Sequence, residues 1–164
     1  MIIVTGGAGF IGSQLIKQLE ARTAPEIAVC DILGTDDKWK NIAKREITCI
    51  VAPDDLTTFL NDNAANIETV FHMGAVSSTT ERDADLIVRS NFTLSMTLWE
   101  WCARNNVTMI YASSAATYGD GTQGFKGDDT VEGLARLRPM NAYGWSKHVF
   151  DRRITRIVSE NGPR

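Results

Sequence analysis

The sequence predicts a doubly wound α/β fold, a parallel sheet with strand order 3-2-1-4-5 covered by helices on both faces. Three observations carry this. Short strand-like runs alternate with amphipathic helical stretches. The leading run is apolar throughout rather than at every second residue, as a strand buried on both faces should be. That run passes through a glycine-rich turn directly into a helix. Right-handed crossovers leave few topologies, and the strand order reverses between strands one and four, where a ligand crevice belongs.

The elements follow in chain order. Ile2-Ile3-Val4-Thr5 is the first strand, and a helix runs from about Gly12 to Arg22 with Ile11, Leu15, Ile16 and Leu19 on one stripe. Ile27-Ala28-Val29-Cys30 is the second strand, ending at Asp31, and Ile47 to Val51 is the third. A short helix spans Leu56 to Asn61 with Asp54 or Asp55 as its cap. Thr69 to His72 is the fourth strand. A long helix from about Ala84 to Arg104 carries Leu86, Ile87, Leu94, Leu98 and Trp101, with Trp99 and Trp101 as core or interface anchors. Val107 to Tyr111 is the fifth strand. A polar, glycine-bearing connection from Gly119 to Pro139 is too long to be idle in a compact domain. The last helix spans roughly Asn141 to Ser159 with Phe150, Ile154 and Ile157 as its buried stripe.

The chain of 164 residues reads as one domain able to bury a sizeable core. Apolar residues make 43% and charged residues 23%, the mix of a soluble globular protein rather than a disordered one. A net charge of −3 offers no basic footprint for nucleic acid or for a membrane surface. No apolar run reaches the ~20 residues of a membrane span, and no secretory leader precedes the first strand. Cys30, Cys49 and Cys102 are widely spaced, without a C-x-x-C pair, so each reads as a small buried hydrophobe in a reducing, cytoplasmic setting. His72 reads as packed or backbone-bonded and His148 as a surface residue; neither has a second ligand at metal spacing, so no metal is expected.

The strongest motif is Thr5-Gly6-Gly7-Ala8-Gly9-Phe10-Ile11-Gly12. A glycine pattern alone is weak, but between a buried strand and an amphipathic helix it is a dinucleotide fingerprint. Glycine permits positive φ and close approach of backbone to a pyrophosphate, and the helix start offers unpaired N–H groups and partial positive charge. Asp31, about 20 residues beyond the turn, can accept the adenosine ribose hydroxyls, which favours NAD. Lys38, Lys40, Lys44 and Arg45 follow; a lysine reaching back can pair with a 2′-phosphate and favour NADP, although such a run also suits a solvated helix face. NAD and NADP both remain open.

Tyr143 and Lys147 lie four apart near the start of the last helix, hence on one face. A neighbouring ammonium stabilises a phenolate, whose ordinary pKa is ~10, and makes it a usable acid–base near neutrality. Tyr-x-x-x-Lys is common on helix surfaces and gains weight only beside the glycine turn and a strand-end serine. Tyr111-Ala112-Ser113-Ser114-Ala115-Ala116-Thr117-Tyr118-Gly119 supplies that serine, where a hydroxyl can hold a substrate oxygen or merely satisfy backbone groups. After strand four, Gly74 and Ala75 let backbone pass close to a cofactor, and Ser77-Ser78-Thr79-Thr80 suits a sugar or phosphate as well as it suits a helix cap.

These residues resemble the extended short-chain dehydrogenase/reductase family of nucleotide-sugar epimerases and dehydratases, whose cofactor half is Rossmann-like. The resemblance covers nearly the whole chain, from the Thr5–Gly12 turn through Gly74-Ala75 to Tyr143-x-x-x-Lys147. Ser77-Ser78-Thr79-Thr80-Glu81 and the 111–119 segment are most similar to the branch that epimerises ADP-activated glycero-manno-heptose for lipopolysaccharide. The resemblance implies Ser114, Tyr143 and Lys147 as the catalytic trio, with Ser113 the lesser serine. It implies Gly6, Gly9, Phe10, Ile11 and Gly12 around the pyrophosphate, Asp31 and Ile32 near the adenosine, and Lys38 at an NADP phosphate. It places Met73, Gly74, Ala75, Val76, Ser77 and Asn91 along the cofactor, and Ser78, Thr79 and Ser114 at the sugar. Ile32 stands where that branch usually has asparagine.

The implied activity is epimerisation of a nucleotide-activated sugar with tightly held NAD or NADP, in the cytoplasm, by a homo-oligomer that binds neither nucleic acid nor membrane. The rivals are a 4-epimerase, a dehydratase or a reductase of the same family, and a nucleotide-binding regulator without chemistry. An acidic pair common in dehydratases is missing from Ala115-Ala116-Thr117-Tyr118, and retention of the trio speaks against the regulator. The family carries a further carboxy-terminal stretch of similar length that completes the sugar site. The chain is therefore expected to be the amino-terminal part of a two-lobed enzyme, inactive alone.

Overall fold

The computed structural model describes residues 1–23 and 26–161. They form two compact units, one of residues 1–74 and 98–112, the other of residues 75–97 and 113 onward.

The first unit is built on five parallel strands, β1 (Ile2–Thr5), β2 (Ile27–Cys30), β3 (Cys49–Val51), β4 (Thr69–His72) and β5 (Thr108–Tyr111). Their order is β3-β2-β1-β4-β5, as expected, with the reversal falling between β1 and β4. Val4 is in register with Val29 on one side and Phe71 on the other. β1 and β2 are buried nearly throughout, which is why they read as unbroken apolar runs. The outer strands differ: Ile50 and Ile110 are about half exposed. β3 is shorter than the expected 47–51. Its pairing begins after Thr48, whose N–H meets Ile27 O at 2.8 Å, and Ile47 packs partly buried against the core instead.

The core of this unit gathers Val4, Ala8, Ile16, Ile27, Val29 and Ile42. Helix α1 (Phe10–Thr23) contributes Ile16, with Leu15 and Leu19 at the margin. Ile11 departs from the expected stripe and is 66% exposed. The inner face begins at Gly12 and Ser13 and continues to Ile16, so Ile11 is rotated about 100° away from it. The short helix α2 (Leu56–Asp62) buries Leu56 and Leu60. It is preceded by a 3-10 turn, Pro53–Asp55, and Asp55 makes no side-chain capping bond, contrary to the sequence expectation. Trp101 is buried and donates Nε1–H to Asn61 Oδ1 at 2.9 Å, whereas Trp99 is half-buried.

The expected long helix is continuous in sequence but not uniform. α3 (Ala84–Ile87) leads into a π-helical turn over Val88–Thr93 and then α4 (Leu94–Asn105). Its cap is Asp83, whose Oδ1 accepts the Leu86 N–H at 2.8 Å, rather than one of the preceding hydroxyls. Leu86 and Leu94 are half-buried.

In the second unit the polar connection contains a helix that the sequence reading did not foresee, α5 (Val131–Arg136), capped by Thr130 through the Gly133 N–H at 3.0 Å. α6 (Ala142–Asn161) follows, with Asn141 Oδ1 accepting the Gly144 N–H at 2.8 Å. Phe150 is buried, but Ile154 and Ile157 are only half-buried. His148 is not a surface residue: it is 5% exposed, with Nε2 at 2.7 Å from Leu134 O, because α6 packs on α5 through that face.

Candidate active site

The first unit carries the glycine turn. Gly6 has φ +64°, and a Cβ there would lie 2.6 Å from Gly74 Cα. A Cβ on Gly12 would lie 2.2 Å from Gly6 O. Both positions therefore require glycine, for a turn folded onto itself and onto the end of β4. Thr5 Oγ1 accepts the Gly74 N–H at 3.0 Å and meets His72 Nδ1 at 2.6 Å, tying β1 to β4 beneath the turn. Gly9 bonds its N–H to Gly6 O at 3.0 Å, and α1 begins one residue later, with no acidic side chain in its first turn. Its positive end thus faces no carboxylate of its own. Phe10 and Ile11 stand 84% and 66% exposed at that helix start, and Met73 is half-buried.

Asp31 is more occupied than its place at a strand end suggests. Its Oδ2 accepts the Ala8 N–H at 2.8 Å, and its Oδ1 accepts the Ile32 N–H at 2.7 Å and Lys38 Nζ at 2.5 Å. Lys38 also donates to Ile32 O at 3.0 Å. A carboxylate has about four acceptor positions, so one remains for a ribose hydroxyl. The basic run is not one solvated face. Lys38 clasps Asp31, Lys40 pairs with Asp37 at 2.8 Å, and Arg45 pairs with Glu20 at 2.9 Å. Ile32 is 68% exposed. Desolvation pushes the Cys30 thiol up to about 12 and that of Cys102 to about 11, so both stay protonated, while Cys49 is half-buried.

The second unit carries the proposed acid–base machinery. α6 places Tyr143, Lys147 and Asp151 at successive four-residue steps on one face. Lys147 is 1% exposed; burial pushes its ammonium down to about 8, and the nearby Asp151 carboxylate pushes it back up. Ser114 caps a 3-10 turn, Ala115–Tyr118, with Oγ accepting the Ala116 N–H at 3.1 Å. That turn packs on α6 at Gly144, where a Cβ would lie 2.6 Å from Ala116 O. The two serines part company: Ser113 Oγ donates to Asp151 Oδ2 at 2.5 Å.

Asn91 sits in the π-helical turn, fully buried. Its Oδ1 accepts the Val76 N–H at 2.8 Å, and its Nδ2 donates to Val76 O at 3.0 Å and to Ser146 Oγ at 3.0 Å. Ser146 Oγ in turn donates to Tyr143 O at 2.7 Å. Asn91 thus pins the 75–77 segment to α6, and its amide is spent on that task. Ala75 and Val76 are half-buried, while Ser77, Ser78 and Thr79 are exposed, with Ser78 Oγ 3.0 Å from Thr80 Oγ1. Sequence reasoning passed over Ser146 and Asp151. Their α6 spacing was visible, but their partners lie far away along the chain. Among the described residues, no group of three His, Cys, Asp or Glu side chains is placed to hold a metal.

A parallel sheet with this order, a glycine turn at its reversal point and a Tyr/Lys pair on the last helix define a class. The chain belongs to the NAD dependent epimerase/dehydratase family, whose model matches residues 2–164. Its relatives are more particular. It is 49% identical over 153 residues to the ADP-L-glycero-D-manno-heptose-6-epimerase of Fusobacterium nucleatum, covering 92% of this chain and 46% of that protein. It is 41% identical to the same enzyme of Alkalilimnicola ehrlichii, over 98% of this chain and 49% of that one. Among solved structures, Helicobacter pylori ADP-L-glycero-D-manno-heptose-6-epimerase superposes with TM-score 0.74 at 26% identity, over 97% of this chain and 50% of that one. Thermus thermophilus UDP-glucose 4-epimerase in complex with NAD superposes with TM-score 0.76 at 28% identity, over 98% and 51%. The chain spans about half the length of the curated relatives it matches.

Proposed function

We propose that the protein carrying this chain epimerises an ADP-activated glycero-manno-heptose by transient oxidation. The carrying observation is Lys147, a cation 1% exposed and one helical turn from Tyr143. Burying an ammonium is costly, and buried groups with strongly shifted pKa values gather at functional sites. The glycine turn fits a dinucleotide. Two of its glycines are required by contact, and the first turn of its helix carries no acidic side chain of its own. Gly6, Gly9, Phe10, Ile11, Gly12, Asp31, Ile32, Lys38, Met73 and Gly74 would hold the cofactor, together with Ala75, Val76, Ser77, Tyr143 and Lys147. Asn91 contributes by holding Val76 in place. Bound nicotinamide supplies a reversible hydride acceptor.

In this reading Tyr143, as phenolate, takes the proton of the sugar hydroxyl and later gives it back. Lys147 stabilises the phenolate by its charge. Ser114 donates a hydrogen bond to the substrate oxygen, its Oγ being already held as an acceptor by Ala116 N–H. Ser78 and Thr79 offer exposed hydroxyls to the sugar. The carbonyl formed on the sugar is reduced on its other face, which inverts one carbon. The Lys38–Asp31 clasp supports NADP as well as NAD, because the lysine neutralises the aspartate beside a 2′-phosphate. We place the reaction in the cytoplasm, where nucleotide sugars and nicotinamide cofactors occur together; among the described residues, no helix is long and apolar enough to cross a membrane. We also infer that the 164 residues are the dinucleotide-binding part of a two-lobed enzyme and turn over little by themselves, since the relatives are about twice as long. The test is product analysis with the full-length protein, offering ADP-heptose against UDP-hexoses, with mass analysis of the co-purifying nucleotide. Epimerisation of ADP-heptose alone supports the reading, and activity confined to UDP-hexoses overturns the substrate.

A further inference from the structure

Two side chains that the proposed mechanism does not use sit against it. Asp151 lies one helical turn beyond Lys147 on the same face of α6, half-buried. Ser113, the residue immediately before Ser114, donates its hydroxyl to Asp151 Oδ2 at 2.5 Å across 38 positions of sequence. A hydrogen bond to a carboxylate at this distance is of the strong, charge-assisted kind. On the other side of Ser114, the 3-10 turn is seated on α6 where Gly144 meets the Ala116 carbonyl. Ser114 is therefore fastened to the Tyr143/Lys147 helix at two points, and Asp151 is one of them.

We propose that Asp151, latched by Ser113, is a positioning residue of this site, fixing the Ser114 turn on α6 and keeping Lys147 an ammonium in its buried place. The proposal rests on the epimerase reading for its catalytic consequence, but not for the latch or for the charge. Lys147 would shed its proton readily if burial acted alone, and the Asp151 carboxylate opposes this. Asp151 itself is pushed up by burial and held down by the Ser113 hydroxyl, Lys147 and His148, against a small opposing push from Asp129. The groups facing it are thus Ser113 from the strand end, Lys147 and His148 from its own helix, and Asp129 from the segment before α5. Of these, His148 is engaged with Leu134 O through Nε2.

The two roles separate by substitution in the full-length protein. Asp151→Asn keeps an oxygen to accept the Ser113 hydroxyl and deletes the charge. Ser113→Ala keeps the charge and deletes the latch. Lys147 is followed directly by NMR titration of 13C-labelled lysine, and turnover of ADP-heptose is followed against pH. With Asp151→Asn, Lys147 is expected to lose its proton at a pH about one unit lower, and the alkaline fall of kcat moves with it. Asp151→Glu restores both. With Ser113→Ala, kcat falls on the order of 10- to 100-fold with KM little changed, and the lysine titrates as before. An unchanged Lys147 titration in Asp151→Asn overturns the electrostatic role, and an unchanged kcat in Ser113→Ala overturns the latch. If the unaltered protein turns over no ADP-heptose while Lys147 titration still shifts in Asp151→Asn, the epimerase reading fails and the positioning of Lys147 stands.

Discussion

Replacing Lys147 by Met should stabilise the folded protein while destroying its chemistry. Burial lowers the Lys147 ammonium from 10.5 to about 8 even with Asp151 nearby. At about 1.4 kcal/mol per pH unit, keeping that cation inside costs the folded state roughly 3 kcal/mol near neutrality. Methionine fills a similar volume without charge. The attraction of Asp151 is already contained in that value, so a net gain of up to about 3 kcal/mol is expected. The pH dependence follows from the direction of the shift. Below about 8 the lysine is charged in both folded and unfolded chains, and the cost is present in full. Between about 8 and 10.5 the folded chain has released a proton that the unfolded chain still holds, so the unaltered protein gains stability as pH rises. Urea denaturation of both forms at pH 7 and pH 10 measures this. Lys147→Met should be the more stable at pH 7 and lose most of that advantage at pH 10. Destabilisation at pH 7, or a gain independent of pH, would refute the assignment of Lys147 as a buried cation.

Other outcomes follow from the same contacts. Gly12→Ala sets a Cβ 2.2 Å from Gly6 O, so the turn must shift. Folding stability should fall by about 1–3 kcal/mol, and the co-purifying nucleotide should be lost, as read by urea melts and absorbance of the purified protein. Asn91→Ala leaves the half-buried Val76 N–H and C=O without their side-chain partner. It should cost about 3 kcal/mol, and hydrogen exchange at the Val76 amide should accelerate; unchanged exchange would show that Asn91 does not hold that segment.

The sheet was legible because β1 and β2, buried nearly throughout, are apolar except for Thr5 at the end of β1, and because glycines and Asp31 mark their ends. The outer strands were less so. β3 is an edge whose pairing starts at Cys49, two residues after the apolar run begins, and apolar composition alone does not mark where such pairing starts. The π-helical turn over Val88–Thr93 left no trace, since one extra residue in a turn does not alter the apolar spacing much, yet it is what carries Asn91. α5 is six residues in a polar, glycine-bearing stretch, set by the Thr130 cap rather than by an apolar stripe. His148 was misjudged because it was read by residue type. α6 is covered along a broad face that takes in Gly144, Ser146, Lys147, His148 and Phe150, wider than a three-residue stripe predicts. The placement of Tyr143 and Lys147 on one face of the last helix, and of Ser114 shortly after β5, was legible from spacing and context. The Ser113–Asp151 bond was not, because a carboxylate on a helix resembles a solvated one until its distant partner is known.

The proposed proton transfer depends most directly on Tyr143. In the full-length protein, Tyr143→Phe should leave nucleotide binding and fold intact while the conversion of ADP-heptose, followed by NMR of the epimerised carbon, drops on the order of 100-fold or more. Conversion at the unaltered rate would mean that no proton passes through this phenol and that the buried lysine beside it serves some other purpose.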